Sequence, residues 1–158
     1  MDCGVSNEAS RVVPPPVLFF GCLLLSALMQ YVRPLSIAAY SFTAGMVIGS
    51  SALLLAAALA AWGIWEMKRL GTAIEPGRIP ARLVTTGPFR FTRNPLYLAL
   101  LLVFTGLAIM SNSLWLALGV GVLLLLLDRL AVSREETVIQ RAFGSEYSAY
   151  VAHVRRWL

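Results

Sequence analysis

Four apolar runs, separated by polar segments rich in Pro and Gly, set the pattern of this chain. The first goes from Val17 to Val32, behind the triplet Pro14-Pro15-Pro16, and Pro34 stops it. The second goes from about Ile37 to Trp65, long enough to cross ~30 Å of hydrocarbon with length to spare. The third (96–110) and the fourth (114–127) are joined by Ser111-Asn112-Ser113, which predicts an antiparallel helical hairpin. Each of these two is short for a full crossing, so the hairpin must extend into flanking polar residues or thin the bilayer locally. Ser41, Gly45 and Gly49 recur at every fourth position of the second run, a spacing that lets another helix come close. Gly119-Val120-Gly121, inside the fourth run, reads as helix packing too, because no strand precedes it. Strand-like alternation is missing throughout. The expected fold is all-α: an integral membrane bundle of about four transmembrane helices, one domain over residues 1–158.

The polar segments carry their own signals. Residues 1–13 are expected to be disordered, with the proline triplet stiffening the chain after them. Residues 66–95 are too long for a simple connection, and long loops are often functional. Residues 128–158 are amphipathic: Phe143-Gly144-Ser145 predicts a helix stop and a new start. Tyr147, Tyr150, Val151, Val154 and Trp157 then share one face of a tail helix, which should lie on the membrane surface or against the bundle.

Composition agrees with a lipid solvent. Hydrophobic residues make up 58% of the chain and charged residues 13%, well below the charged fraction of an ordinary soluble domain. The net charge of +5 is unevenly placed. Lys68, Arg69, Arg78, Arg82, Arg90 and Arg93 lie in the 66–95 segment, and Arg129, Arg134, Arg141, Arg155 and Arg156 in the last segment. The first loop holds Arg33 and the hairpin turn holds no cation. The positive-inside rule puts both rich segments and both termini in the cytoplasm. The charge therefore reflects topology, and no surface interleaving bases with aromatics points to nucleic acid. A signal-peptide reading of the first run is weakened by its balanced flank, Arg11 against Asp2 and Glu8. Cys3 and Cys22 are poor disulfide partners, and His153 stands without a Cys/His cluster, so no metal is expected.

Two polar clusters fall on the same side of the membrane. One is Leu83-Val84-Thr85-Thr86-Gly87-Pro88-Phe89-Arg90-Phe91-Thr92-Arg93-Asn94-Pro95-Leu96-Tyr97; the other is Asp128-Arg129 with Arg134-Glu135-Glu136. Structural roles account for much of the first: Asn94 as cap of the third helix, Pro95 in its first turn, Gly87-Pro88 as a turn, Arg90 and Arg93 as headgroup anchors. In the second, Asp128 and Glu135 are two turns apart on a continued helix. At least one of Glu135 and Glu136 should point into the bundle mouth, where an ionisable group is a functional candidate.

These residues, together with Phe143-Gly144-Ser145-Glu146-Tyr147, resemble the isoprenylcysteine carboxyl methyltransferase family and the related phospholipid N-methyltransferases. The resemblance covers residues 80–155, about half the chain. It implies S-adenosylmethionine as cofactor, with Arg82, Leu83, Val84, Phe89, Asn94, Pro95, Leu96, Tyr97 and Glu136 around it. It places Glu135 between cofactor and acceptor, with Arg134 and Arg129 as further catalytic candidates. Two departures stand out: Asn94 occupies a position where the family usually has His, and Ala131 one where the carboxyl methyltransferases tend to carry Arg. The expected activity is methyl transfer to a lipophilic or prenylated acceptor, with carboxyl O-methylation ahead of N-methylation. A nicotinamide-dependent membrane reductase and a non-enzymatic protein keeping the fold are the competing readings.

Overall fold

In a computed structural model, residues 13–72 and 81–157 are described. The expectation for residues 1–13 falls, but for Val13, outside them. Among the described residues the chain is helical: α1 (Pro15–Val32), α2 (Phe42–Arg69), a 3-10 turn (Gly87–Arg90), α3 (Pro95–Met110) and α4 (Leu114–Leu126). A π-helical stretch, Leu127–Val132, leads on into α5 (Ser133–Phe143), and α6 (Ser145–His153) follows. Three of the helices are long and apolar enough to cross a membrane, and α3 is a shorter apolar helix. The protein is a multi-pass membrane protein. Its outward faces are apolar, with Leu24, Leu54 and Leu125 all exposed, as lipid-facing side chains are.

Several boundaries move from their expected places, each for a local reason. Pro15 starts α1 instead of stiffening a linker, since the first helical positions need no N–H. Residues 37–41 are not helical, because the α3–α4 turn satisfies their backbone. The Asn112 side-chain oxygen accepts from Ile37 N (3.0 Å) and Ala38 N (3.3 Å), and its amide donates to Ala38 O (3.0 Å). Ser41 then caps α2 by accepting from Ala44 N at 3.2 Å. α2 continues past Trp65 for another turn, to Arg69. The fourth helix does not end at Leu127 but winds on to Phe143 through the π stretch.

Helix α2 packs along α3, and α4 packs against both α1 and α3. Gly49 and Gly106 bring α2 and α3 almost into backbone contact. A Cβ on Gly49 would meet Gly106 O at 2.8 Å, and one on Gly106 would meet Gly49 O at 2.9 Å. At the α1–α4 crossing, a Cβ on Gly119 would run into Ser26 Oγ, whereas Gly121 faces open space. The core of the bundle is built on Phe104, Leu123 and Leu127, each fully buried. The ends of the bundle differ. One holds the 33–41 loop and the hairpin turn, tied by Ser113 Oγ to Gln30 (2.9 Å) and Trp115 Nε1 to Arg33 O (2.7 Å). The other holds the end of α2, residues 81–94, the π stretch, α5 and α6, and it carries the candidate site.

Gly106→Ala should lower thermal stability in detergent by about 1–3 kcal/mol, the usual cost of overpacking a close contact. Gly121→Ala should leave it unchanged or slightly raised, since a helical Gly is the less favourable residue. Circular-dichroism melts of the two variants check the contrast.

Candidate functional site

Helix α2 builds one wall by overrunning its apolar stretch. Glu66, 2% exposed, accepts hydrogen bonds from Arg69 (2.6 Å) and from the Thr86 hydroxyl. Just beyond the helix, Thr72 Oγ1 donates to Arg82 O at 3.1 Å. Residues 82–86 are thus strung between two fixings on the end of α2, and Leu83 and Val84 lie between them. Gly87 is forced by the geometry: its φ is +61°, and a Cβ there would stand 3.1 Å from the Glu66 side chain. A left-handed backbone and a close approach both call for glycine.

The second wall comes from α5 and α6. Glu135 and Glu136 lie one turn past the π stretch, and Tyr147 is buried beneath them. The two carboxylates have separate fates. Glu135 accepts from the Tyr97 hydroxyl at 2.6 Å. Glu136 pairs with Arg93 (Nη1–Oε1, 3.1 Å) and with Arg156 Nη2. Arg156 also reaches Asp128 at 3.0 Å, and Trp157 Nε1 donates to the same carboxylate at 3.1 Å. The Glu136 hydrogen bond, more than any other cause, holds the Arg156 guanidinium above its ordinary pKa. Burial, ahead of the neighbouring Glu136 charge, pushes the Tyr147 phenol up to about 12. Burial likewise raises Tyr150, whose hydroxyl donates to Phe89 O at 2.6 Å.

Between the walls is a cleft of ≈ 530 Å³ including its open mouth. Met67, Leu83, Val84, Phe89 and Ile139 give it an apolar lining, to which Tyr147 and Tyr150 add their rings. Arg82, Arg93, Asn94, Glu135 and Glu136 supply the polar groups. A mostly apolar cleft with a few convergent polar groups is the usual form of a small-molecule site.

Residues 44–146 match the phospholipid methyltransferase family. The chain belongs to that family. The match takes in α2, both cleft-forming clusters and the start of α6; it leaves out α1 and the last residues of the tail. An uncharacterized protein of Haemophilus influenzae is 42% identical over 65 residues, which are 40% of this chain and all of that protein. No solved structure matches.

Seven residues singled out in the sequence of this phospholipid methyltransferase family member meet at the cleft: Arg82, Leu83, Val84, Phe89, Asn94, Glu135 and Glu136. Tyr97 stands behind Glu135. Pro95 is buried at the start of α3 and Leu96 packs toward Gly63, so neither forms its wall. Arg129 and Arg134 are exposed and do not line it. Arg134 stands one residue before Glu135, about 100° round the same helix, and Arg129 lies within the π stretch. Ala131 is fully buried in the core, so the position where the carboxyl methyltransferases tend to carry Arg is taken up by packing.

Two expected structural roles also change. Asn94 does not cap α3 with its side chain, which donates instead to Arg156 O at 3.2 Å. Arg93 is not a headgroup anchor but the partner of Glu136. Glu66, Asp128, Arg156 and Trp157 gave little warning of their parts in the sequence. An acid one residue past an apolar run, with Arg three positions on, was the one available sign for Glu66.

Gly87→Ala should cost about 1–2 kcal/mol from the left-handed backbone alone. It should also weaken any ligand held by Leu83 and Val84, whereas Gly144→Ala, with open space around it, should share the first effect and not the second. Melting curves with and without ligand separate them.

Proposed function

We propose that this family member is an S-adenosylmethionine-dependent methyltransferase that modifies a lipophilic acceptor at the cytoplasmic mouth of its bundle. The observation carrying this reading is the pairing of an apolar and aromatic cleft with Glu135, a half-buried carboxylate held by a phenol hydroxyl. The residues present suit the cofactor. Arg93 Nε is a buried donor without an acceptor, fitted to a carboxylate. Leu83, Val84 and Phe89 offer an apolar slot for a ring, and Glu135 offers negative charge for a cationic centre. When bound, the cofactor supplies an electrophilic methyl group on a sulfonium. Placing reactants in line accounts for much of the rate enhancement in such a displacement.

For the acceptor, the surroundings of Glu135 favour a lipid amine over a carboxylate. A carboxylate acceptor brings a second negative charge beside Glu135, with Ala131 packed in the core where an arginine would have answered it. An amine is attracted, and Glu135 takes the proton that nitrogen releases as it gains the methyl group. The carboxyl of a prenylated cysteine is the second reading, supported by Arg82 at the rim of the cleft.

Calorimetry in detergent should show binding of S-adenosylmethionine or its demethylated product and none of a nicotinamide dinucleotide; the reverse result would replace this reading with a reductase. Labelled methyl transfer to lipid extracts and to a prenylcysteine analogue, side by side, identifies the acceptor. Glu135→Gln should lower turnover by roughly 10²-fold, the range of a general base. Glu146→Gln, on the exposed face of α6, should not change it. A folded Glu135→Gln protein with full activity removes Glu135 from the chemistry.

The orientation rests on the cations crowded at the cleft end. In a background with Cys3 and Cys22 replaced, an impermeant thiol reagent on intact cells should label Ser111→Cys and miss Ala152→Cys. Labelling in the opposite pattern inverts the topology.

A further inference from the structure

The helix that begins at Leu114 runs to Phe143, but Leu127–Val132 is wound as π-helix. A π-bulge holds one residue more than the α-helical turn it replaces. Everything beyond it is therefore rotated by about 100° relative to an unbroken α-helix. Glu135 lies just beyond, and that rotation aims it at the Tyr97 hydroxyl. A π-turn is intrinsically rare, so its register needs holding from outside.

Arg156 ties the start of the bulge to the helix beyond it. Nη1 donates to Asp128 Oδ1 (3.0 Å) inside the bulge, and Nη2 donates to Glu136 Oε2 beyond it. The tail that delivers Arg156 is itself fixed: Arg93 N donates to Arg155 O (3.1 Å), and Thr92 Oγ1 donates to Arg156 O (3.0 Å). Arg156 lies outside the residues matched to the family.

We infer that Arg156 is a positioning residue whose forked guanidinium spans the π-bulge and so keeps Glu135 on the cleft face. It makes no hydrogen bond to Glu135 and acts through helix register. Because Arg93 also pairs with Glu136, removing Arg156 does not strip that carboxylate of its last cation. A lysine has the charge but not the planar fork, and cannot hold both carboxylates in the same way. The effect on catalysis rests on the proposed role of Glu135; the effect on register does not.

The test uses full-length Arg156→Lys and Arg156→Gln in detergent. Hydrogen exchange without any ligand should become about 10-fold faster over residues 127–136 and stay at wild-type rates over 114–126, the signature of a local opening. Unchanged exchange over 127–136 overturns the inference, and so does acceleration spread evenly through the bundle, which marks a general clamp. Arg156→Lys, the milder change, decides the matter where Arg156→Gln does not fold. In methyl transfer, Arg156→Lys should lower kcat by about 10-fold with the cofactor KM near wild type, and should cause no further loss in a Glu135→Gln background. Fully additive losses overturn the positioning role while leaving the methyltransferase reading intact. A wild-type protein inactive on every acceptor tells against that reading alone, and the exchange experiment still decides whether Arg156 holds the bulge.

Discussion

The polar end of this bundle depends on one charge node, Arg93–Glu136–Arg156–Asp128. Its four members come from the segment before α3, from α5, from the tail and from the π stretch. Two positive and two negative groups balance, so the node can be partly buried without leaving a net charge in a low dielectric. Burying such a set gives little net stability, because desolvation offsets most of the attraction; removing one partner is what costs, by about 3–5 kcal/mol for a buried pair. A node of this kind fixes geometry more than it adds stability. Here it fixes the tail to the α3 entry and α5 to the π stretch, and the cleft is the space those attachments leave.

Adjacent glutamates with opposite assignments follow from it. Glu136 is committed to two guanidinium groups, while Glu135 has a phenol for a partner and looks into the cleft. One residue of helix register separates the two, so the sequence pair Glu-Glu is better understood as one anchor and one carboxylate left facing the cleft. The other wall shows the same division. Glu66 and Thr72 hold the ends of a short segment, and Leu83 and Val84 between those fixings line the cleft. Loops that must present backbone to a ligand need such fixings, because a site gains its precision from what stands behind it.

The apolar runs announced four helices, their hairpin and the membrane without help from tertiary contacts, since lipid selects for composition and length. The two clusters were legible as clusters, and the glycine stop at Gly144 and the close glycines at Gly49 and Gly119 were legible as local chemistry. What the sequence concealed was register. An uninterrupted α-helix through Asp128 and Glu135 was the natural reading, and the π stretch has no signature in Leu127–Val132 that distinguishes it from α-helix. From that came the misplacement of Arg129, which an unbroken α-helix puts on the face of Glu136, seven residues on. The long-range partners of Asn94 and Arg93 were hidden for the same reason: Arg156 is 62 residues from Asn94, beyond any local pattern.

A bulge in the fourth helix also brings core and cleft onto one stripe. The run up to Leu127 must keep its buried stripe, Leu116, Leu123 and Leu127, against α1 and α3. The polar helix after it must show Glu135 and Ile139 to the cleft. Leu127 and Glu135 are eight residues apart, which on an unbroken α-helix would put Glu135 about 80° off the stripe of Leu127. The π turn winds more residues per turn, so it turns Glu135 back by about 100°, to within about 20° of that stripe and toward Tyr97 of α3. The buried Ala131 and Val132 fill the inside of that turn with small side chains. An arginine at 131 would have to leave the core, so the packing of the bulge itself keeps a cation out of that position.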